Sequence, residues 1–471
     1  MSNATMKRYA KFKNGVKELK LQTSFSNLLD LSEWKLTPYQ ILVLGFAGLI
    51  LVGALFLMTP IASVTGQRLS FVDALFTATS AVCVTGLVVV DTGTYFSLFG
   101  QLVIIFLIQA GGLGIMTMAT LMALIMRRKI QLRERLIMQE ALNHMTVSGV
   151  VRLTQYIIMA TFLIEFIGGT ILAIRWYFDL GAKGIYFGYW HAISSFCNAG
   201  FDLFGNFSSL THYVDDITVN LVVTTLIILG GIGFTVIFDV WDNRQWHNFS
   251  LHTKLVLTTS SVLLFVGTII IFLLELNNPE TLGELSWKGK ILASYFQSVT
   301  PRTAGYNTID IGKMQDASLF FTIILMFIGA SPASTGGGVK TTTLGVMIAA
   351  IWALITGKND AELFRRRINQ NIIYKAFTVF FIAAALVIFV TMMMSISEKF
   401  SFLNILFEVV SAFGTVGLTT GITSSLTVHG KLWLIVTMFA GRVGPVTLAL
   451  ALALRSRKGA VQYPEGKVNI G

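Results

Sequence analysis

Four short segments of this chain end in a glycine at places where backbone, rather than side chains, would do the chemistry. The clearest is Thr415-Val416-Gly417, and three degraded copies precede it: Val84-Thr85-Gly86, Asn198-Ala199-Gly200 and Thr303-Ala304-Gly305. Successive glycines are 114, 105 and 112 residues apart, so one unit of a little over a hundred residues is repeated four times. Each glycine has an aromatic residue ten positions before it (Phe76, Trp190, Tyr295, Phe407), and six positions before it stand Ser80, Ser194, Val299 and Ser411. A cation stripped of water inside a membrane needs its hydration shell replaced, and backbone carbonyls do this without a net charge that would trap the ion. Aiming several carbonyls of one segment at a common axis requires part of the backbone at positive φ, which glycine adopts at no steric cost.

Such loops need short helices that enter and leave the membrane from one side, flanked by full spans. The composition supplies them. Hydrophobic residues make up 54% and charged residues 13%, against about 25% charged in soluble domains, and the mean hydropathy is +0.71. The 471 residues accommodate about eight spans of about 20 residues each. The expected class is an all-α integral membrane protein of four covalently linked helix–pore loop–helix repeats around one pore. Its divisions are a basic arm over 1–36, repeats over 37–128, 129–244, 245–358 and 359–459, and a tail over 460–471. The pore segments are expected near 71–81, 186–196, 288–298 and 401–411, too short to cross a bilayer. First spans are expected near 39–58, 150–176, from 252, and near 372–396. Second spans are expected as continuous helices near 97–126, 217–240 and 430–454.

The net charge of +11 is no nucleic-acid signal, because it follows the repeat boundaries. The first 36 residues hold seven Lys/Arg, and further clusters are Arg127-Arg128-Lys129 with Arg133 and Arg135, Arg365-Arg366-Arg367, and Arg455, Arg457 and Lys458. The positive-inside bias places all of these, with both termini, in the cytoplasm and the pore loops outside. Two cysteines, Cys83 and Cys197, exclude a disulfide framework and read as small packing residues. Six scattered histidines offer no catalytic or metal-ligand set, so neither an enzyme nor a bound cofactor is expected.

A second feature recurs in phase. Small-residue clusters follow each glycine within the second span: Gly111-Gly112-Leu113-Gly114, Gly230-Gly231-Ile232-Gly233, Gly329-Ala330-Ser331 and Gly441-Arg442-Val443-Gly444. Close helix packing is the plainer reading of any one of them, and explains the first two equally well. In the third repeat, residues 329–343 break the span outright, since Pro332 and Gly336-Gly337-Gly338 cannot hold a helix. The stretch superficially suggests a phosphate-binding loop, but Val339 separates Gly338 from Lys340, and no strand precedes it.

On these residues the chain resembles the superfamily of bacterial Trk and Ktr potassium transporters and their plant and fungal relatives. Val82-Cys83-Val84-Thr85-Gly86, Ser298-Val299-Thr300-Pro301-Arg302-Thr303-Ala304-Gly305 and Ser411-Ala412-Phe413-Gly414-Thr415-Val416-Gly417 are most like the Ktr-type membrane subunit. The resemblance implies potassium uptake through a filter formed by the four segments, with potassium at filter carbonyls as the only metal. It further implies stimulation by sodium, a bacterial plasma-membrane location in lipid, a homodimer, and a cytosolic nucleotide-binding regulatory ring. It makes residues 329–343 an intramembrane gate, with Gly329, Ser334, Thr335, Gly336, Gly337, Gly338, Lys340 and Arg442 as its residues. Glycine at all four filter positions goes with potassium selection in that family. No second glycine follows two residues on, so fewer carbonyl rings are stacked than in tetrameric potassium channels.

Arg442 has two readings: a fixed charge beneath the filter that blocks cations and anchors the gate, or a structural partner of a carboxylate. Lys340 is read as snorkelling toward the cytoplasm. Glu165, Asp239 and Glu408 are the intramembrane carboxylates. Glu408 and His191, each nine residues before a filter glycine, are read as hydrogen-bonding ties rather than proton relays. Asp91 and Asp202, near the outer mouth, either attract cations or are ordinary solvated loop acids. The competing class is a secondary transporter of another cation or small solute, whose broken helices would come in two related halves around a midplane pocket.

Overall fold

In the computed structural model the described residues are 37–114, 150–444 and the isolated positions 117, 118, 120, 121, 136, 139, 447 and 448. The arm over 1–36, the basic clusters at 127–135 and 455–458, and the tail over 460–471 lie outside them. Among the described residues, four helices are long and apolar enough to cross a membrane, one opening each repeat. They are α1 (Pro38–Leu57), α4 (Val150–Leu180), α8 (Leu251–Glu275) and α12 (Gln370–Ser397). The first starts where the hydroxyl of Thr37 accepts from the Gln40 amide and Gln40 returns a bond to Thr37, with Pro38 at the first helical position. That reciprocal cap satisfies donors a helix end otherwise leaves open.

The short helices fall where the glycine spacing puts them: α2 (Phe71–Cys83), α5 (Ala182–Phe196), α9 (Trp287–Val299) and α13 (Phe402–Gly414). Ser70, Ser286 and Ser401 cap three of them through their hydroxyls. Phe76, Trp190 and Phe407 are buried in the core that surrounds the filter, so these aromatics anchor the pore helices by packing.

The second half of each repeat is not a continuous span. In repeat two, α6 (Ile217–Gly231) and α7 (Phe234–Asn243) meet at an angle of 96°. In repeats one and four, α3 (Leu98–Leu113) and α14 (Val428–Val443) end at Gly114 and Gly444, with φ of +84° and +92°. In repeat three, α10 (Asp316–Phe327) and α11 (Thr341–Ile355) are separated by an irregular loop over 328–340. The small-residue clusters are therefore helix breaks as well as packing sites. Gly111, Gly230 and Gly441 each lie against the carbonyl of a residue four before a filter glycine, respectively Val82, Phe196 and Phe413, with no room for a Cβ. The only strands among the described residues are β1 (Glu362–Leu363) and β2 (Arg366–Arg367), a two-residue hairpin that exposes the Arg365–Arg367 cluster.

Asp239 sits on α7, past the bend, and accepts from the Ser250 amide at 3.0 Å and from the hydroxyl of Thr253, fastening repeat two to the start of α8.

Candidate functional site: a four-segment ring and the loop beneath it

The four glycine segments converge on one ring. A Cβ placed on Gly86 would collide with the carbonyl oxygen of Ala199, on Gly200 with that of Ala304, on Gly305 with that of Val416, and on Gly417 with that of Thr85. The order closes, one to two to three to four and back to one. The glycine φ angles are +88°, +67°, +81° and +90°. Two residues earlier, Val84, Asn198, Thr303 and Thr415 are also left-handed, with φ of 59°, 60°, 73° and 52°. A non-glycine residue pays a steric penalty there, and it does so four times over in equivalent places.

Peptide geometry then fixes where the carbonyls point. A trans peptide sets each N–H opposite the carbonyl of the residue before it. The N–H groups of Thr85, Ala199 and Val416 donate back to the pore-helix carbonyls of Ser80, Ser194 and Ser411, at 2.7, 2.8 and 2.8 Å, and that of Ala304 donates to Thr300 at 2.9 Å. The carbonyls of Val84, Asn198, Thr303 and Thr415 must therefore face away from the pore helices, toward the axis. The Gly86 and Gly417 amides donate to the hydroxyls of Ser80 and Ser411 at 3.1 Å each, which turns the carbonyls of Thr85 and Val416 the same way. With Ala199 and Ala304 these form the second ring, against which the glycines rest. All twelve residues are buried.

The third repeat departs from the expected alignment. Val299 does not do what Ser80 and Ser411 do; Thr300 takes the place, its hydroxyl donating to the Tyr306 carbonyl, as Ser194 donates to Phe201 at 2.9 Å. Behind the ring Leu87, Phe201, Tyr306 and Leu418 are buried, and the Tyr306 hydroxyl donates to the Phe201 carbonyl at 2.8 Å, joining segments two and three. Arg302, which the sequence reading passed over, is buried behind segment three with its guanidinium on the Ser260 hydroxyl at 2.9 Å. An arginine inside a membrane repeat is itself the signal that marks it.

Beneath the ring lies the loop between α10 and α11. It closes on itself, with Ile328 bridged to Val339, the Ala330 amide on the Gly337 carbonyl at 3.3 Å, and the Ser331 and Thr341 hydroxyls 2.8 Å apart. It docks on the broken end of α6. The Ser331 and Thr335 amides donate to the carbonyls of Gly231 and Gly230 at 2.9 and 3.1 Å, and the Phe234 amide donates to Ala333 at 2.8 Å. It also touches the ring: the Gly337 amide donates to the Thr415 hydroxyl at 3.0 Å. Gly329 and Gly336 are tightly enclosed, the latter against the Thr303 hydroxyl, and Ser334 turns back to the Ser331 carbonyl at 2.6 Å.

Both cations of the gate reach this loop. Lys340 does not snorkel outward; its ammonium donates to the carbonyls of Gly336 and Gly337 at 2.8 and 3.3 Å. Arg442 donates to the carbonyls of Thr335, Gly111 and Gly112, the last at 3.0 Å. Its partners are backbone carbonyls freed by a loop and a helix end, not a carboxylate. Glu165 accepts instead from the side-chain amide of Gln109 at 3.2 Å, and Cys83 and Cys197 are free and buried.

At the outer mouth the two acids are engaged rather than merely solvated. Asp91 accepts from the amides of Thr94 and Phe207 at 2.8 and 2.7 Å, joining repeats one and two. Asp202 accepts from the Phe204 amide at 3.1 Å, and burial, with the charge of Asp91, pushes its carboxyl up to about 7.

Comparison with known proteins places this architecture. Residues 34–461 match the family model TrkH, described as a cation transport protein. The chain is 48% identical over 438 residues to the Ktr system potassium uptake protein B of Bacillus subtilis, covering 93% of this chain and 97% of that protein. It is 42% identical over 444 residues to the potassium/sodium uptake protein NtpJ of Enterococcus hirae, covering 93% and 98%. Among solved structures, the potassium transporter TrkH of Vibrio parahaemolyticus superposes with a TM-score of 0.72 at 18% identity, over 89% of this chain and 86% of that one. That likeness concerns the fold, four helix–pore–helix repeats around one pore.

Proposed function

The chain belongs to the TrkH family of cation transport proteins, and we propose that its four glycine segments are the filter through which it takes up potassium. It is a multi-pass membrane protein and a potassium uptake protein, not an enzyme. The observation that carries the filter reading is the closed ring in which each glycine rests on a carbonyl of the next segment. Two stacked rings of four carbonyls, at Val84, Asn198, Thr303 and Thr415 and at Thr85, Ala199, Ala304 and Val416, replace the water of a dehydrated potassium ion. Pore helices aim their carbonyl ends, with partial negative charge, at the ions held there.

The loop over 329–343 is the gate. It closes the path under the lower ring through Gly337 and Thr415 and is held by Lys340 and Arg442. Backbone that is neither helix nor sheet is tolerated at membrane depth only against protein or a wet cavity, and here it is hydrogen-bonded to itself and to repeats two and four. Opening requires releasing those bonds, which suits control from the cytoplasm. A regulatory nucleotide-binding ring is the proposed controller; the Bacillus relative is named as protein B of a Ktr system, which supports a further component. Sodium as an activating ion belongs to the same proposal; the Enterococcus relative is named a potassium/sodium uptake protein, which associates sodium with transport in a relative. A homodimer in lipid, with both termini and the Arg365–Arg367 hairpin cytoplasmic, completes the reading.

The test is ion flux from purified protein in liposomes under defined potassium and sodium gradients. Potassium-selective flux supports the filter; flux that does not distinguish the two ions, or that is competed by an organic solute, rejects it.

A further inference from the structure

Repeats two and four carry a polar group that the filter description leaves unused. In repeat four, one carboxylate oxygen of Glu408, on pore helix α13, accepts from the hydroxyls of Thr419 and Thr423, the latter at 2.7 Å. Those two threonines are themselves 2.9 Å apart, and the Thr419 hydroxyl also accepts from the Gly421 amide at 2.9 Å. Thr419 stands two residues past Gly417, so one buried acid gathers the whole segment leaving the ring. In repeat two, the equivalent His191 on α5 has its Nδ1 2.7 Å from the Phe187 carbonyl and its Nε2 3.2 Å from the Leu203 amide. A carbonyl only accepts, so Nδ1 carries the proton and Nε2 accepts from Leu203. Leu203 stands three residues past Gly200.

Repeats one and three have no such tie from the position nine residues before the glycine. Thr77, the equivalent in α2, spends its hydroxyl on the Asp73 carbonyl of its own helix, and the equivalent in α9 is Phe296. The ring order places repeats two and four opposite one another. At this position, therefore, two facing segments are pinned to their pore helices beyond the ring, whereas segment three is held closer in, at Tyr306, by the Thr300 hydroxyl on its carbonyl and by its own hydroxyl on Phe201.

We propose that Glu408 and His191 are positioning residues that fix the width of the outer carbonyl ring and so set discrimination between potassium and sodium, without setting throughput. A carbonyl ring free to contract accepts the smaller sodium ion, and pinning two opposed segments resists contraction along one diagonal. The inference rests on the filter reading above.

The experiment compares E408M, E408Q, H191F and H191Q in liposomes, with G417S alongside, reading apparent potassium affinity, sodium competition, maximal rate and melting temperature. E408Q retains the accepting oxygen and loses no bond, because the second carboxylate oxygen has no partner; H191Q can still accept from Leu203. The expected result is a loss of potassium-over-sodium discrimination of about tenfold in E408M and H191F, the scale of losing buried hydrogen bonds to one group. Maximal rate should stay near the wild-type value, and both glutamine variants should recover discrimination. Wild-type discrimination in E408M and H191F with only a lowered melting temperature overturns the inference, as does an equal loss in E408Q and H191Q. If G417S is also silent, the filter reading itself has failed; if G417S loses discrimination and E408M does not, only the ties have.

Discussion

Arg442 donates a hydrogen bond to the carbonyl of Thr335, tying the last span of repeat four to the interrupted span of repeat three. The same guanidinium reaches Gly111 and Gly112 of repeat one. Three repeats thus meet on one partly buried charge, and no carboxylate among its bonded partners neutralises it. On the proposed path, a cation descending from the filter would meet that charge where the loop is anchored.

Replacing Arg442 with alanine removes both effects. Repulsion between unit charges about 4 Å apart, at an effective dielectric of about 20, is roughly 4 kcal/mol, and each 1.4 kcal/mol is about tenfold in rate. R442A is expected to raise maximal uptake at least about tenfold, with potassium affinity little changed because the rings lie outward of this position. Melting temperature should fall as well, since buried carbonyls lose their donor. Flux and thermal stability measured on one preparation check this; lower stability with unaltered flux per folded molecule would leave Arg442 a structural tie only.

Deleting Ser334 to Gly338 takes away the part of the loop that touches Thr415 and receives Lys340. Uptake is expected to rise and to depend less on any regulatory subunit, while selectivity holds, because neither carbonyl ring is altered. Uptake by the folded deletion protein that is unchanged or abolished contradicts the gate assignment.

Asp202 lies in the outer loop, beyond the spanning helices, and its carboxyl is pushed up to about 7 by burial and by Asp91. Above that pH it is charged and adds to the negative potential that concentrates cations at the mouth; as pH falls through it the charge is lost. Apparent potassium affinity should therefore weaken between about pH 8 and about pH 6, and D202N should flatten that dependence at the weaker level. The sign for stability is opposite: an acid whose folded value is raised favours the folded state below that value, and that contribution is lost as pH rises through it. Potassium titrations of uptake at the two pH values, in both proteins, decide the matter.

The ring was legible because it is made of backbone. Positive φ at Gly86, Gly200, Gly305 and Gly417 demands glycine, and a demand made four times at near-equal spacing shows in the letters. Left-handed Val84, Asn198, Thr303 and Thr415 were not legible as such, since their strain is sustained by contacts with pore helices that the sequence does not display. The shift from Val299 to Thr300 escaped for a related reason: pore helix α9 carries its tie one residue later, and counting back from Gly305 lands on the wrong side chain. The breaks at Gly114, Gly233 and Gly444 read as continuous spans because the flanking residues are largely apolar, and hydropathy does not register a turn. Lys340 folded inward because Gly336 and Gly337 expose carbonyls within its reach, partners that exist only once the loop has closed.

The most direct test of the central claim is the potassium and sodium uptake kinetics of G305S and G417S beside the parent protein in liposomes. A side chain at either position enters a left-handed backbone and the carbonyl of the neighbouring segment, Val416 for Gly305 and Thr85 for Gly417. The account predicts folded, membrane-inserted variants with weakened potassium affinity or reduced discrimination against sodium. Unchanged kinetics for both ions in both variants would contradict it.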